Sequence, residues 1–318
     1  MNENPDNEPP KTFLQDTADC WRRLPNKAFF FALLAAWLAL FQFLGNPILG
    51  YVHTPSLFSW MIGAYNSPSA DDAHGNFIPF LVVGLFWWKR RELLALPLKP
   101  WWPGLLILLA ALMLHVAGFA VQQPYLSIAA LFAGIYGLTG LAWGRAWLRN
   151  SLFPFFLFMF SVPLGQRGES ITFPLRQLVS WLSEKTAHVL GIDVIRVGTQ
   201  LFDPTGNYGF DVAAPCSGMR SLIAIFLLAT IYGFFVFRSP WKRLLLIALA
   251  LPFAVLGNLA RMMIIIGAAE IGGQPWGVYV HEGGPLGIIS LIPYLPAMIG
   301  LLLAGRWLEN RELKQADA

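Results

Sequence analysis

Eight apolar runs bounded by charged or helix-breaking residues divide the chain, at 28–49, 77–88, 102–121, 125–144, 152–163, 218–237, 244–267 and 287–305. About 20 apolar residues are what a helix needs to cross the hydrocarbon of a bilayer. The pattern therefore predicts an all-α integral membrane protein with about eight transmembrane helices. The runs 77–88 and 152–163 are short for a crossing and must borrow flanking residues. Composition agrees: of 318 residues, 56% are hydrophobic and 13% charged, against about 25% charged in an ordinary soluble domain, which argues against a soluble enzyme.

An even number of crossings puts both termini on one side, and the basic residues test that layout because cytoplasmic loops are enriched in Lys and Arg. Sixteen of the 22 Lys and Arg fall on the side of the termini, among them Arg22, Arg23, Lys89, Arg90, Arg91, Lys242 and Arg243. Six fall on the other: Arg167, Arg176, Lys185, Arg196, Arg220 and Arg261. The termini are expected in the cytoplasm. The net charge of +4 is then a topology signal and gives no support to nucleic-acid binding.

Residues 1–26 are polar and proline-bearing and read as a disordered cytoplasmic tail; residues 27–308 read as one polytopic bundle, and 309–318 as a cytoplasmic C-terminal tail. The tail's acidic start, without a basic region leading into a short apolar stretch, does not fit a cleavable signal peptide. The sizeable insertion outside the bilayer is 164–215. Leu175, Leu178, Val179, Leu182 and Ala187 recur at helical spacing, predicting an amphipathic helix over 173–190 on the outer membrane surface. Short apolar segments split by Gly198, Pro204-Thr205-Gly206 and Gly209 then predict a small hairpin over 192–212.

The hairpin leads into Asp211-Val-Ala-Ala-Pro-Cys216-Ser-Gly-Met-Arg220. On this topology Cys20 and Cys216 lie on opposite faces and cannot form a disulfide. A cysteine of this kind is often a small packing residue. Here a proline suited to a first helical turn precedes it and an apolar run follows. A thiol there sits at the positive end of a helix dipole, where its pKa falls and the nucleophilic thiolate is enriched.

Arg261 lies well inside an apolar run, in Gly257-Asn258-Leu-Ala-Arg261-Met-Met. A central lipid-facing arginine costs about 2.5–3.5 kcal/mol on insertion scales, so it should face the protein interior or a wet cavity; snorkelling to the outer headgroups is the alternative. Asn258 is three residues earlier on the same helix face and could hold the guanidinium or reach the same substrate group. His281, in Val280-His281-Glu-Gly-Gly-Pro-Leu-Gly287, reads as part of a glycine-rich loop entering the last span. A loop histidine is usually just solvated, but this one shares its rim with Cys216 and Arg261. A zincin reading fails, because residue 285 is Pro where H-E-x-x-H needs its second His. His115 reads as a histidine hydrogen-bonded inside the bundle, Asp71, Asp72 and His74 as a nonspecific cluster, and His188 as interfacial. No phosphate loop or nucleophile elbow is present.

Cys216-Ser217-Gly218, Asn258-x-x-Arg261 and His281 followed by glycines, in that order and each at the outer end of a late span, resemble the exosortase/archaeosortase family of integral membrane transpeptidases. His74-Gly75 before the second span is similar to the family's His-Gly there, and 191–198 to the segment that precedes its cysteine motif. Pro215 stands where the family often carries a polar residue.

The resemblance implies an enzyme of a bacterial inner membrane that recognises exported proteins by a C-terminal sorting tail, made of a motif such as Pro-Glu-Pro, an apolar helix and a basic end. Cys216, Arg261 and His281 would be catalytic on the periplasmic side, with Asn258, Ser217, Gly218, Arg220 and His74 supporting or binding substrate. Cys216 would attack the scissile carbonyl to give a thioester. Arg261 would stabilise the oxyanion or position the carbonyl, and His281 would move the protons. The partners are the tail-bearing proteins, the bilayer and an acceptor nucleophile; no cofactor or metal is expected. Alternatives are a hydrolase using the same residues with water as acceptor, and a noncatalytic transporter or scaffold. Against a transporter, the polar groups gather on one rim rather than at the midplane, and no internal repeat is visible.

Overall fold

The structure is a computed structural model that describes residues 12–45, 54–67, 72–164, 167–211, 219–284 and 292–316, with side chains at 167, 169, 171, 172, 219–221 and 311–316 set aside. The chain divides into two compact units, Met1–Ser67 with Gly75–Pro163 and Pro68–His74 with Leu164–Ala318. Each has its own apolar core.

The first unit begins with α1 (Phe13–Arg23) and α2 (Lys27–Phe43). The expected tail is thus helical from Phe13 onward, for local reasons. Thr12 and Gln15 form a reciprocal capping box, which satisfies two otherwise unpaired N-terminal donors. Asp16 pairs with Arg90. The turn between the helices is pinned by Asn26 donating to the Ala142 carbonyl at 3.1 Å and by the Trp143 indole donating to the Pro25 carbonyl at 2.9 Å.

Next come α3 (Leu57–Tyr65), a short helix between the first two apolar runs, then α4 (Ile78–Trp88), α5 (Arg90–Leu94), α6 (Gly104–Ala120), α7 (Pro124–Trp143) and α8 (Arg145–Leu157). Trp37, Phe41, Leu57, Trp60, Ile128 and Leu131 form the centre of this unit's core. The Trp37 indole, being buried, needs an acceptor, and finds the Leu131 carbonyl at 3.0 Å. His115 of α6 is buried with Nδ1 3.1 Å from Ser127 Oγ and Nε2 3.1 Å from the Leu44 carbonyl, the hydrogen-bonded structural histidine expected.

The second unit contains α9 (Arg167–Val189), strands β1 (Ile195–Val197), β2 (Gln200–Phe202) and β3 (Gly209–Asp211), and helices α10 (Met219–Val236), α11 (Pro240–Glu282) and α12 (Leu295–Ala316). The expected hairpin is a three-stranded antiparallel sheet in the order β1-β2-β3, with Arg196 opposite Leu201 and Leu201 opposite Phe210. The expected surface helix starts six residues earlier than foreseen. It buries Val179 and Ala187 against Leu201, Tyr208 and Phe210 of the sheet region and against Met262, Ile265, Ile266 and Ala269 of α11. That face is turned to protein, while Phe173, Leu178, Trp181 and Val189 stay exposed. A separate core of Ala229, Leu246, Ala250, Ala254 and Leu301 joins α10, α11 and α12; its small residues let the backbones approach closely.

Each of the eight apolar runs overlaps a helix in its described part. By length and hydropathy two helices among the described residues can each cross a membrane, α7 and α11. A third candidate arises if α1 and α2, bent by 93°, count as one span.

The 43 residues of α11 are two helical limbs. Gly273, at φ 69° and ψ −170°, breaks the helix between them, in a region of backbone space open essentially to glycine alone. Arg261 and His281 are 20 residues apart yet hydrogen-bonded at 3.2 Å, where a straight helix would separate them by about 30 Å. The second limb therefore folds back along the first. This corrects the expected position of His281, which sits in the last turn of a helix rather than in a loop. The glycine-rich sequence after it supplies the stop: Gly283 at φ 87° caps the helix, its N–H bonded to the Tyr279 and Val280 carbonyls.

Candidate active site

Asn258 and Arg261 lie three residues apart on one face of the first limb of α11, so their side chains project together. The reversal at Gly273 brings the end of the second limb to the same place. There the Arg261 guanidinium donates through Nη2 to the His281 carbonyl at 3.2 Å. Through Nη1 it donates to the Tyr294 hydroxyl, also at 3.2 Å. Tyr294 in turn donates to Asn258 Oδ1 at 2.8 Å. All four residues are half-buried, and both Nη groups of an arginine in an apolar setting are thereby bonded to protein groups, which lowers the cost of keeping it out of water.

Tyr294 is the member that the sequence reading missed. It closes the short 3-10 turn Ile292–Tyr294 ahead of α12, inside what reads as an uninterrupted apolar run. A tyrosine there, between Pro293 and Pro296, was the available signal, since its hydroxyl must find a partner when withdrawn from water. Gly257 makes room for the ring: a Cβ at that position would lie 2.9 Å from Tyr294 Cδ1. The Gly-Asn-x-x-Arg sequence thus encodes a seat for the ring, an acceptor for the hydroxyl and the guanidinium itself.

On the other side of the reversal, the sheet is fastened to α11. The Gln274 side chain accepts from the Gly209 N–H at 2.9 Å and donates to the Gly209 carbonyl at 3.2 Å. Tyr208 donates to Glu270 Oε1 at 2.5 Å, and the Phe210 ring occupies the space beside Gly277 that a side chain there would need. Burial, reinforced by the bond to Glu270, pushes the Tyr208 phenol well above its usual range. In the turn between β2 and β3, the Thr205 hydroxyl and the Asn207 and Thr205 N–H groups hold the Asp203 carboxyl below its usual range. β3 ends at Asp211, five residues before Cys216.

The structure brings Asn258, Arg261 and His281 together. The hydrogen bond of His281 to Arg261 runs through its backbone carbonyl, while burial and then the charge of the Arg261 guanidinium hold the imidazole below its usual pKa. Cys216, Ser217 and Gly218 lie outside the described residues. Arg220 is placed by its backbone in the first turn of α10. His74, half-buried in the turn Ala73–Asn76, falls with the second unit. His188 bonds the Val194 carbonyl at 2.9 Å and so ties the end of α9 to the approach to β1.

A membrane-type chain whose late helices gather an Asn-x-x-Arg pair with a histidine has a counterpart among known families. The model of the transmembrane exosortase family (Exosortase_EpsH) matches residues 60–298, and the chain belongs to that family. That stretch takes in every residue expected at the site, Cys216 among them. No curated protein and no solved structure matches the chain.

Proposed function

We propose that this exosortase is a cysteine transpeptidase that cleaves the C-terminal sorting tail of exported proteins and passes them to an acceptor. The observation that carries the proposal is the clamped Arg261: a guanidinium held at both Nη atoms, in a chain whose reversal at Gly273 sets His281 beside it. A cation fixed in place before the reaction stabilises developing negative charge without reorganising at the moment it appears.

In this mechanism the Cys216 thiolate adds to the carbonyl carbon of the scissile peptide bond, and Arg261 faces the resulting oxyanion. Collapse breaks the C–N bond while His281 delivers a proton to the departing amine, leaving a thioester on Cys216. His281 then takes a proton from the acceptor nucleophile, whose attack on the thioester breaks the C–S bond and releases the Cys216 thiolate. Ser217, Gly218, Arg220, Asn258 and His74 support the substrate or the reacting groups. The eight apolar runs cross the inner membrane with both termini cytoplasmic. The site then opens on the periplasmic side, where a substrate's own helix lies beside the bundle and presents its motif.

The test is co-expression of Cys216→Ala with an exported reporter ending in a Pro-Glu-Pro motif, an apolar helix and a basic tail. Processing is expected to stop; processing at the normal rate overturns the proposal. Mass analysis of the wild-type product's new C-terminus separates transfer from hydrolysis. An adduct supports transfer, whereas a free carboxylate every time makes the enzyme a hydrolase with the same residues.

A further inference from the structure

We infer that Tyr294 is the positioning residue of this site, and that Asn258 acts on Arg261 through it. The inference rests on the catalytic role proposed for Arg261.

An arginine side chain has several rotatable bonds, and holding it in one pose costs conformational entropy. Two contacts on different Nη atoms, Tyr294 Oη and the His281 carbonyl, fix the plane of the guanidinium as well as its position. The carbonyl can only accept, so that contact needs no adjustment. A phenol hydroxyl both donates and accepts, and unless its proton is committed elsewhere it can turn that proton toward the cation and lose the bond. Asn258 Oδ1 removes the ambiguity: it takes the Tyr294 proton at 2.8 Å, which leaves a lone pair for Arg261 Nη1. The ring reaches this position because Gly257 has no side chain, and the guanidinium carbon lies 6.0 Å from the ring centroid, at the outer limit of a cation–π contact. The oxygen therefore carries the interaction. Asn258 is accordingly a partner of a positioning residue, and its effect on the reaction passes through the tyrosine.

The decisive variant is Tyr294→Phe, which keeps the ring in its seat and removes only the hydroxyl. With full-length protein in lipid nanodiscs and the tail-bearing reporter as probe, kcat is expected to fall about ten- to hundredfold, the range for a charged group that loses one hydrogen-bond partner. KM should stay within about twofold, with the thermal unfolding midpoint unchanged. Asn258→Ala combined with Tyr294→Phe should be no slower than the slower single variant, since both cut one chain. In an Arg261→Lys background, Tyr294→Phe should have no further effect. A wild-type rate for Tyr294→Phe overturns the inference. So does multiplication of the Asn258 and Tyr294 effects, a residual effect in the Arg261→Lys background, or a loss of rate that tracks a lowered unfolding midpoint. Cys216→Ala, run alongside, separates the two levels: if it still processes the reporter, the catalytic reading has failed; if it is inactive while Tyr294→Phe is normal, only the positioning role has.

Discussion

Gln274 and Gly209 exchange two hydrogen bonds, so that one side-chain amide does for β3 what a neighbouring strand would do. β3 is the last strand of its sheet, and an edge strand leaves N–H and C=O groups unpaired unless something covers them. Here the cover comes from the residue directly after the α11 reversal. The strand that leads toward Cys216 is thereby set relative to the helix that carries Arg261 and His281.

Removing that amide should be felt in both stability and activity. In Gln274→Ala the Gly209 donor and acceptor lose their partner, at a cost of about 1–3 kcal/mol if water does not replace it. The unfolding midpoint should fall and reporter processing should slow. Gln274→Glu, which can accept but not donate, should lie between wild type and alanine when the three are compared by thermal scan.

The reversal itself depends on one backbone conformation. Gly273→Ala places a side chain where φ is 69° and ψ −170°, at a cost of about 1–3 kcal/mol. The second limb should loosen from the first. The expected outcome is a marked loss of processing, with new protease sensitivity between residues 270 and 284 on limited digestion of the solubilised protein.

Replacing the His281 side chain should behave differently, because its bond to Arg261 is made by the backbone. His281→Gln is expected to fold with an unchanged unfolding midpoint while processing falls by about 10²–10⁴, the usual contribution of a general acid–base group. The pH–rate profile should lose the limb that His281 supplies. Rate measurements from pH 5 to 9 on both proteins check this.

The Tyr208–Glu270 bond predicts alkaline sensitivity. Because the folded state raises the Tyr208 pKa, its neutral form is stabilised. That contribution is fully present below the ordinary tyrosine value of about 10 and is lost as pH rises from there through the elevated folded value. Tyr208→Phe should lower the unfolding midpoint at pH 7 and flatten its decline above pH 10, as followed by thermal scans from pH 7 to 11.5.

Much of this arrangement is legible from residue order. Apolar runs locate the helices, because satisfying the backbone inside a bilayer leaves few alternatives to helix. The Asn258 and Arg261 pair is visible because three-residue spacing on a helix is a local relationship. Tyr294 and the reversal are not local. The glycines after His281 read as a loop, whereas Gly283 ends a helix, and the break sits ten residues earlier, at Gly272-Gly273-Gln274-Pro275. A proline there biases Gln274 away from helical geometry, a cue hidden by the apolar residues on both sides. The tail failed for a similar reason. Phe13, Thr17 and Trp21 are sparse among polar residues, and the Asp16–Arg90 pair that helps hold α1 joins positions 74 residues apart.

The reversal at Gly273 also orders events during synthesis. Arg261 leaves the ribosome 20 residues before the carbonyl that will accept from it and 33 before the tyrosine that will. Until Tyr294 has followed, Nη1 lacks the hydroxyl that will accept from it. A chain released early, after the second limb but before α12, would hold Arg261 by the His281 carbonyl but not yet by the tyrosine. The clamp on Arg261 is therefore completed late, by the last helix to emerge.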